Sequence, residues 1–71
     1  MLQFSSALAE AIENGYMIDN NGIRDPYNKH YWQVESSENG ALTVWDTTGT
    51  LIVKQGTFKD VDREVKLICG R

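Results

Sequence analysis

The sequence predicts an α+β fold: one small domain over residues 1–71, built as helix, three-stranded antiparallel β-meander, helix, with both helices packed on one face of the sheet. Three observations carry this. Residues 31–58 alternate apolar and polar side chains and are punctuated by two glycine turns, Glu38-Asn39-Gly40 and Thr47-Thr48-Gly49; alternation with period two between turn signals marks antiparallel strands. Phe58, Val61, Val65 and Ile68 then recur at i, i+3, i+7 and i+10, and Phe4, Leu8, Ala11 and Ile12 recur at i, i+4, i+7 and i+8. Both are the apolar stripe of an amphipathic helix.

The first helix is expected over residues 4–14. Ser5 or Ser6 can cap its start, and Gly15 after Asn14 supplies the left-handed residue that ends it. Glu10 and Glu13 fall on the polar face in the last turns, where the helix dipole is negative and a carboxylate costs about 0.3–1 kcal/mol. No lysine or arginine is within helical reach of them. Such local conflicts concentrate at functional surfaces, so Glu10 and Glu13 are candidate contacts.

Residues 16–29 carry weaker signals. Tyr16-Met17-Ile18 reads as a short strand, Asp19-Asn20-Asn21-Gly22 as a turn, and Asp25-Pro26 as a second break. A connection of this length in so short a chain is a candidate working loop.

The meander has a register. With Glu38-Asn39-Gly40 as a three-residue loop, Ser37 pairs with Ala41, Glu35 with Thr43, Val34 with Val44 and Gln33 with Trp45. Trp32, Val34, Leu42 and Val44 then share a core face, and Tyr31, Gln33, Glu35, Thr43 and Trp45 share the other. A register shifted by one would scatter polar residues over both faces. The second turn is expected to pair Asp46 with Leu51, Val44 with Val53 and Thr43 with Lys54. That sends Leu51 and Val53 to the core and Ile52 and Lys54 outward. Gln55-Gly56 ends the third strand, and Thr57 with Asp60 approximates a capping box. Asp60 and Asp62 near the start of the second helix and Lys66 near its end suit its dipole, Asp62 and Lys66 form an i, i+4 pair, and Gly70 stops the helix.

A chain of 71 residues is near the lower limit for folding on one core without staples. One cysteine, Cys69, and one histidine, His30, form neither an internal disulfide nor a zinc site, and a lone thiol fits a reducing, cytoplasmic setting. The opening Met1-Leu2-Gln3-Phe4 has no basic leader region and no run is long enough to span a membrane, so a soluble protein used as translated is expected. The net charge of −3 weighs against a phosphate-binding surface.

No catalytic constellation is visible. The serines lie at a helix start or before a hairpin, with no histidine–acid pair to activate them. His30 reads as a solvated strand-edge residue. Cys69 reads as a small hydrophobe whose thiol pKa the helix end would raise. Asp19-Asn20-Asn21-Gly22 with Asp25 has calcium-like composition without EF-hand spacing. A non-enzyme without metal or cofactor is expected.

The order helix, three strands, helix is similar to that of double-stranded-RNA-binding domains. Those domains carry a lysine cluster at the start of the second helix, where this chain has Thr57-Phe58-Lys59-Asp60 followed by Asp62. The departure falls on the residues that would grip phosphate, so RNA binding does not transfer.

The outer face, with Tyr31, Trp45 and Ile52, admits two arrangements. Either the first helix or the 16–29 segment folds over it, or both helices pack on the core face and leave it free for a partner. Tyrosine and tryptophan on a free face are the types enriched at binding hot spots. The leading expectation is a small acidic protein-binding module, an inhibitor or modulator that occludes a surface of a larger complex. It resembles some phage-encoded inhibitors of host nucleases and of phage-defence or CRISPR-type complexes, which place acids in basic nucleic-acid grooves. Glu10, Glu13 and Asp19 would supply the acids, and Tyr31, Trp45 and Ile52 the apolar anchor. The alternatives are single-stranded nucleic-acid binding by base stacking on the sheet, and a homodimer made through the outer face or a sheet edge.

Overall fold

The computed structural model describes residues 6–70, and among them it shows two helices and a five-stranded antiparallel sheet. The order is α1 (Ser6–Glu13), β1 (Met17–Asp19), β2 (Gly22–Arg24), β3 (Tyr31–Ser36), β4 (Leu42–Trp45), β5 (Leu51–Gly56) and α2 (Phe58–Cys69). The strands lie side by side in sequence order. The expectations for Phe4 and Ser5 fall outside the described residues.

The α+β class holds, but the three-stranded meander is corrected to five strands. The expected meander is β3–β5, and the 16–29 segment adds a β1–β2 hairpin to its edge. Only Asn20-Asn21 make the turn; Asp19 and Gly22 pair across it. Gly22 looks like a turn residue in the sequence, yet its role is close strand approach. A Cβ there would lie 2.1 Å from the Trp32 carbonyl oxygen and 2.9 Å from the Tyr31 ring.

The β3–β4 register is the expected one, with Gln33 opposite Trp45, Val34 opposite Val44 and Glu35 opposite Thr43. The β4–β5 register is expected at Val44–Val53 and shifted on either side of it. The second turn is a three-residue loop like the first. Asp46 N–H donates to the Thr50 carbonyl at 3.0 Å, as Ser37 N–H does to Ala41 at 2.9 Å, and Gly40 and Gly49 both adopt left-handed φ, 84° and 87°. Closing the loop one residue early pairs Trp45 with Leu51. Ile52 becomes the extra residue of a bulge between that pair and Val44–Val53, which flips the alternation. Leu51 therefore leaves the expected core face and is 48% exposed, while Ile52 leaves the outer face and packs half-buried against the core. A second extra residue precedes Gly56, at Gln55, which holds a left-handed φ of 50°. There the Gln55 N–H donates to Thr43 Oγ1 at 3.1 Å.

Both helices feed one core. Leu8 and Ala11 of α1, Phe58, Val61 and Val65 of α2, and Ile23, Trp32, Val34, Leu42, Val44 and Val53 of the sheet form a single buried cluster with Tyr16. Two expected core residues are corrected. Ile12 is 43% exposed, because a step of about 100° carries it off the narrow Leu8/Ala11 stripe. Ile68 is 48% exposed, because the α2 stripe runs from Val65 to Cys69, which packs against the cluster instead. The start of α2 is as expected: Thr57 is the N-cap and forms a reciprocal capping box with Asp60.

One carboxylate organises the β2–β3 connection. Asp25 is 2% exposed. Its Oδ1 accepts from the backbone N–H groups of Tyr27 and Asn28 at 2.9 and 2.8 Å. Its Oδ2 accepts from Trp32 Nε1 at 3.0 Å and from the Cys69 thiol at 3.6 Å. Burial by itself would push its pKa up, but the donors from Asn28, Trp32, Tyr27 and Cys69 outweigh it and hold Asp25 below the usual carboxylate range.

Two predictions follow from this framework. Replacing Asp25 with Asn turns an amide N–H toward the Trp32 and Cys69 donors and removes the charge, so Asp25→Asn should lose about 2–3 kcal/mol of stability at neutral pH in urea unfolding. The folded-state pKa lies below the unfolded value of about 3.9, so the Asp25 contribution is complete above that value and fades as the pH falls through the folded one. The gap between wild type and variant should therefore narrow below about pH 4. At the bulge, Gln55→Gly removes a side chain from a left-handed position, and should raise stability by up to about 1 kcal/mol, read as a higher melting temperature.

Candidate functional site

Strand pairing places every outer-face residue in a row. One row runs Asp19, Gly22, Gln33, Trp45, Leu51 across all five strands. A second runs Met17, Arg24, Tyr31, and a third contains Glu35 and Thr43. The two helices bury their apolar stripes in the cluster on the opposite face, and the 16–29 segment enters the sheet instead of crossing it. The described residues thus leave this face open. Met17 is 60% exposed and Leu51 48%, with Tyr31 and Trp45 half-buried between their neighbours.

Local packing shapes this face. Gly22 has no side chain, and the Tyr31 ring lies across the gap, within 2.9 Å of where a Cβ would be. The Arg24 guanidinium sits 5.7 Å from the centre of the same ring, a cation–π arrangement. Arg24 Nε donates to Asp19 Oδ2 at 2.8 Å, and Arg24 also donates to the Lys29 carbonyl at 3.1 Å. Asp19, a candidate acid, is therefore part of an ion pair on the outer face.

The candidate residues divide between two surfaces. Tyr31, Trp45 and Asp19 come together on the outer face, and Ile52 leaves it. Glu10 and Glu13 are exposed on α1, which packs against the inner side, and no cation among the described residues is in ion-pair distance of either. Glu10 borders two open clefts of about 360 and 350 Å³, one toward Asn39 and Gln55, the other toward Lys59, Arg63 and Lys66. Sequence reasoning missed Met17, Arg24 and Leu51 as outer-face residues. Recognising Asn20-Asn21 as a two-residue hairpin turn would have found the first two, whereas Leu51 depends on the bulge.

The remaining polar clusters are structural in their bonding. Asp62 Oδ1 accepts from the Tyr16 and Tyr27 hydroxyls, each at 2.6 Å, and its Oδ2 pairs with Lys66 at 3.0 Å. Burial opposes the Asp62 charge, but the two tyrosines and Lys66 hold its pKa below the ordinary range. Burial first, and then Asp62, push the Tyr16 pKa up. The Cys69 pKa is also raised, by burial and then by the Asp25 charge, and a raised pKa leaves little thiolate to act as a nucleophile. His30 meets Trp32 edge-to-face at 4.7 Å. Among the described residues no group of three or more His, Cys, Asp or Glu side chains could hold a metal ion, and no helix is long and apolar enough to cross a membrane.

Comparison with protein-family models, with curated proteins and with solved structures finds no match.

The two tryptophans separate core from surface. Trp32 is fully buried with its indole N–H satisfied by Asp25, so Trp32→Ala should cost about 3–5 kcal/mol. Trp45 is half-buried on an open face, so Trp45→Ala should cost about 1 kcal/mol and leave the far-ultraviolet circular dichroism unchanged.

Proposed function

We propose that this protein is a non-enzymatic protein-binding module that docks a partner on the outer face of its sheet. The observation that supports this reading is the open row through Gln33, Trp45 and Leu51, flanked by Tyr31 and Met17. The core is complete on the opposite face and does not include Met17, Trp45 or Leu51. Aromatic and thioether side chains set among polar neighbours have the composition of an interface centre.

A module of this kind works by covering a surface of its partner, as an inhibitor or modulator does. Glu10 and Glu13 lie on a different side of the molecule and would meet a basic surface independently of the sheet. A larger nucleic-acid-handling complex engaged through both would have to reach around the domain. Base stacking on the sheet is less favoured, because Asp19 occupies Arg24 and Glu35 stands on the same face.

Affinity capture tests the reading. Wild type and Trp45→Phe should retain one stoichiometric protein partner, Trp45→Lys should lose it by at least about tenfold, and Glu10→Lys/Glu13→Lys should weaken only a contact to a basic surface. Equal capture by wild type and Trp45→Lys would refute the outer face as the docking surface.

A further inference from the structure

We infer that the occupant of the outer face is a second copy of this chain, so that the protein forms a concentration-dependent dimer, sheet against sheet. The inference rests on the reading of that face as a docking surface and names its partner. Charge carries the choice. The charged residues of the face are Asp19, Arg24 and Glu35, placed there by strand pairing, and Lys54, which follows the inward-facing Val53, two of each sign. The chain as a whole carries −3, so the entire excess resides on the other surfaces.

Two copies meeting through this face bring together neutral surfaces and keep their acidic sides apart. Meeting through α1 instead would set Glu10 and Glu13 against their own copies, which costs association energy. A basic partner, in contrast, would be steered to Glu10 and Glu13, which have no ion pair among the described residues, and would find no net attraction on the sheet. The face is also self-compatible. Asp19 is already paired with Arg24 at 2.8 Å, while Glu35 and Lys54, in no ion pair among the described residues, are of opposite sign and would pair across the contact. The Tyr31 ring fills the space over Gly22, and sheet faces pack on one another with side chains interdigitated at about 10 Å.

Size sets the strength. Four inter-strand steps of about 4.8 Å and three rows about 7 Å apart span about 20 by 14 Å. With side-chain overhang this is roughly 500 Å² per copy and about 1,000 Å² for a pair, the low end of specific interfaces. A dimer that dissociates in the range of about 10–100 μM is expected.

Sedimentation velocity on the full chain across about 5–500 μM tests this. Wild type should pass from the 8.0 kDa monomer to a species of twice that mass. Trp45→Lys should remain monomeric throughout, with its fold verified by circular dichroism, and Glu10→Lys/Glu13→Lys should still dimerise. Because the contact is neutral, the association constant should change by less than about threefold between 50 and 500 mM salt. A wild type that stays monomeric at every concentration overturns the inference, and so does a dimer that persists in Trp45→Lys. A monomeric wild type that still captures a different protein through Trp45 overturns the second copy alone and leaves the docking face standing.

Discussion

The architecture depends on the buried carboxylate of Asp25. A charge at 2% exposure persists because it is surrounded by donors, two backbone amides, the Trp32 indole and the Cys69 thiol. Those donors come from the β2–β3 connection, from the centre of the core and from the last turn of α2. The carboxylate therefore fixes how the early hairpin joins the meander, and it anchors the indole of Trp32 within the core. The outer-face row of Met17, Arg24 and Tyr31 follows from that alignment, since Ile23 opposite Trp32 puts Arg24 opposite Tyr31.

The division of labour between the two faces is a consequence of a small core. Two short helices cover one side of a five-stranded sheet, burying Leu8, Ala11, Phe58, Val61 and Val65 against it while Ile12, Leu67 and Ile68 stay exposed. The other side then has to be either polar throughout or occupied. It is neither fully polar nor covered by the described residues, and its charges cancel. A neutral, partly apolar face on an acidic molecule is the combination that favours docking without electrostatic steering. Glu10 and Glu13 stand on α1 instead, a separate surface on which Glu10 borders two open clefts.

How much of this was legible can be followed residue by residue. The β3–β4 register could be read because a one-residue slip would have moved every apolar side chain to the wrong face, and Trp32 and Trp45 were assigned to opposite faces on that ground. The capping box at Thr57 and Asp60 was equally readable, since it depends on residues three apart in the chain. Leu51 and Ile52 were exchanged because a bulge leaves no mark in the apolar pattern. The sequence Leu-Ile-Val offers an apolar residue in either phase. β2 was missed because three residues beginning with glycine show no alternation, and the role of Gly22 is visible only once Tyr31 and the Trp32 carbonyl are beside it.

The sequence by itself determined what is governed by near neighbours: the two helices, the glycine turns, the β3–β4 register and the inward position of Trp32. Those follow from periodicity, capping and turn geometry, which act over a few residues. Only the tertiary structure decided that the sheet has five strands, that Asp25 is buried, that Asp19 is neutralised by Arg24, and that Glu10 and Glu13 are set apart from Trp45. The Asp19–Arg24 pair depends on the β1–β2 hairpin, and the others rest on contacts between segments distant in the chain, which have no local signature.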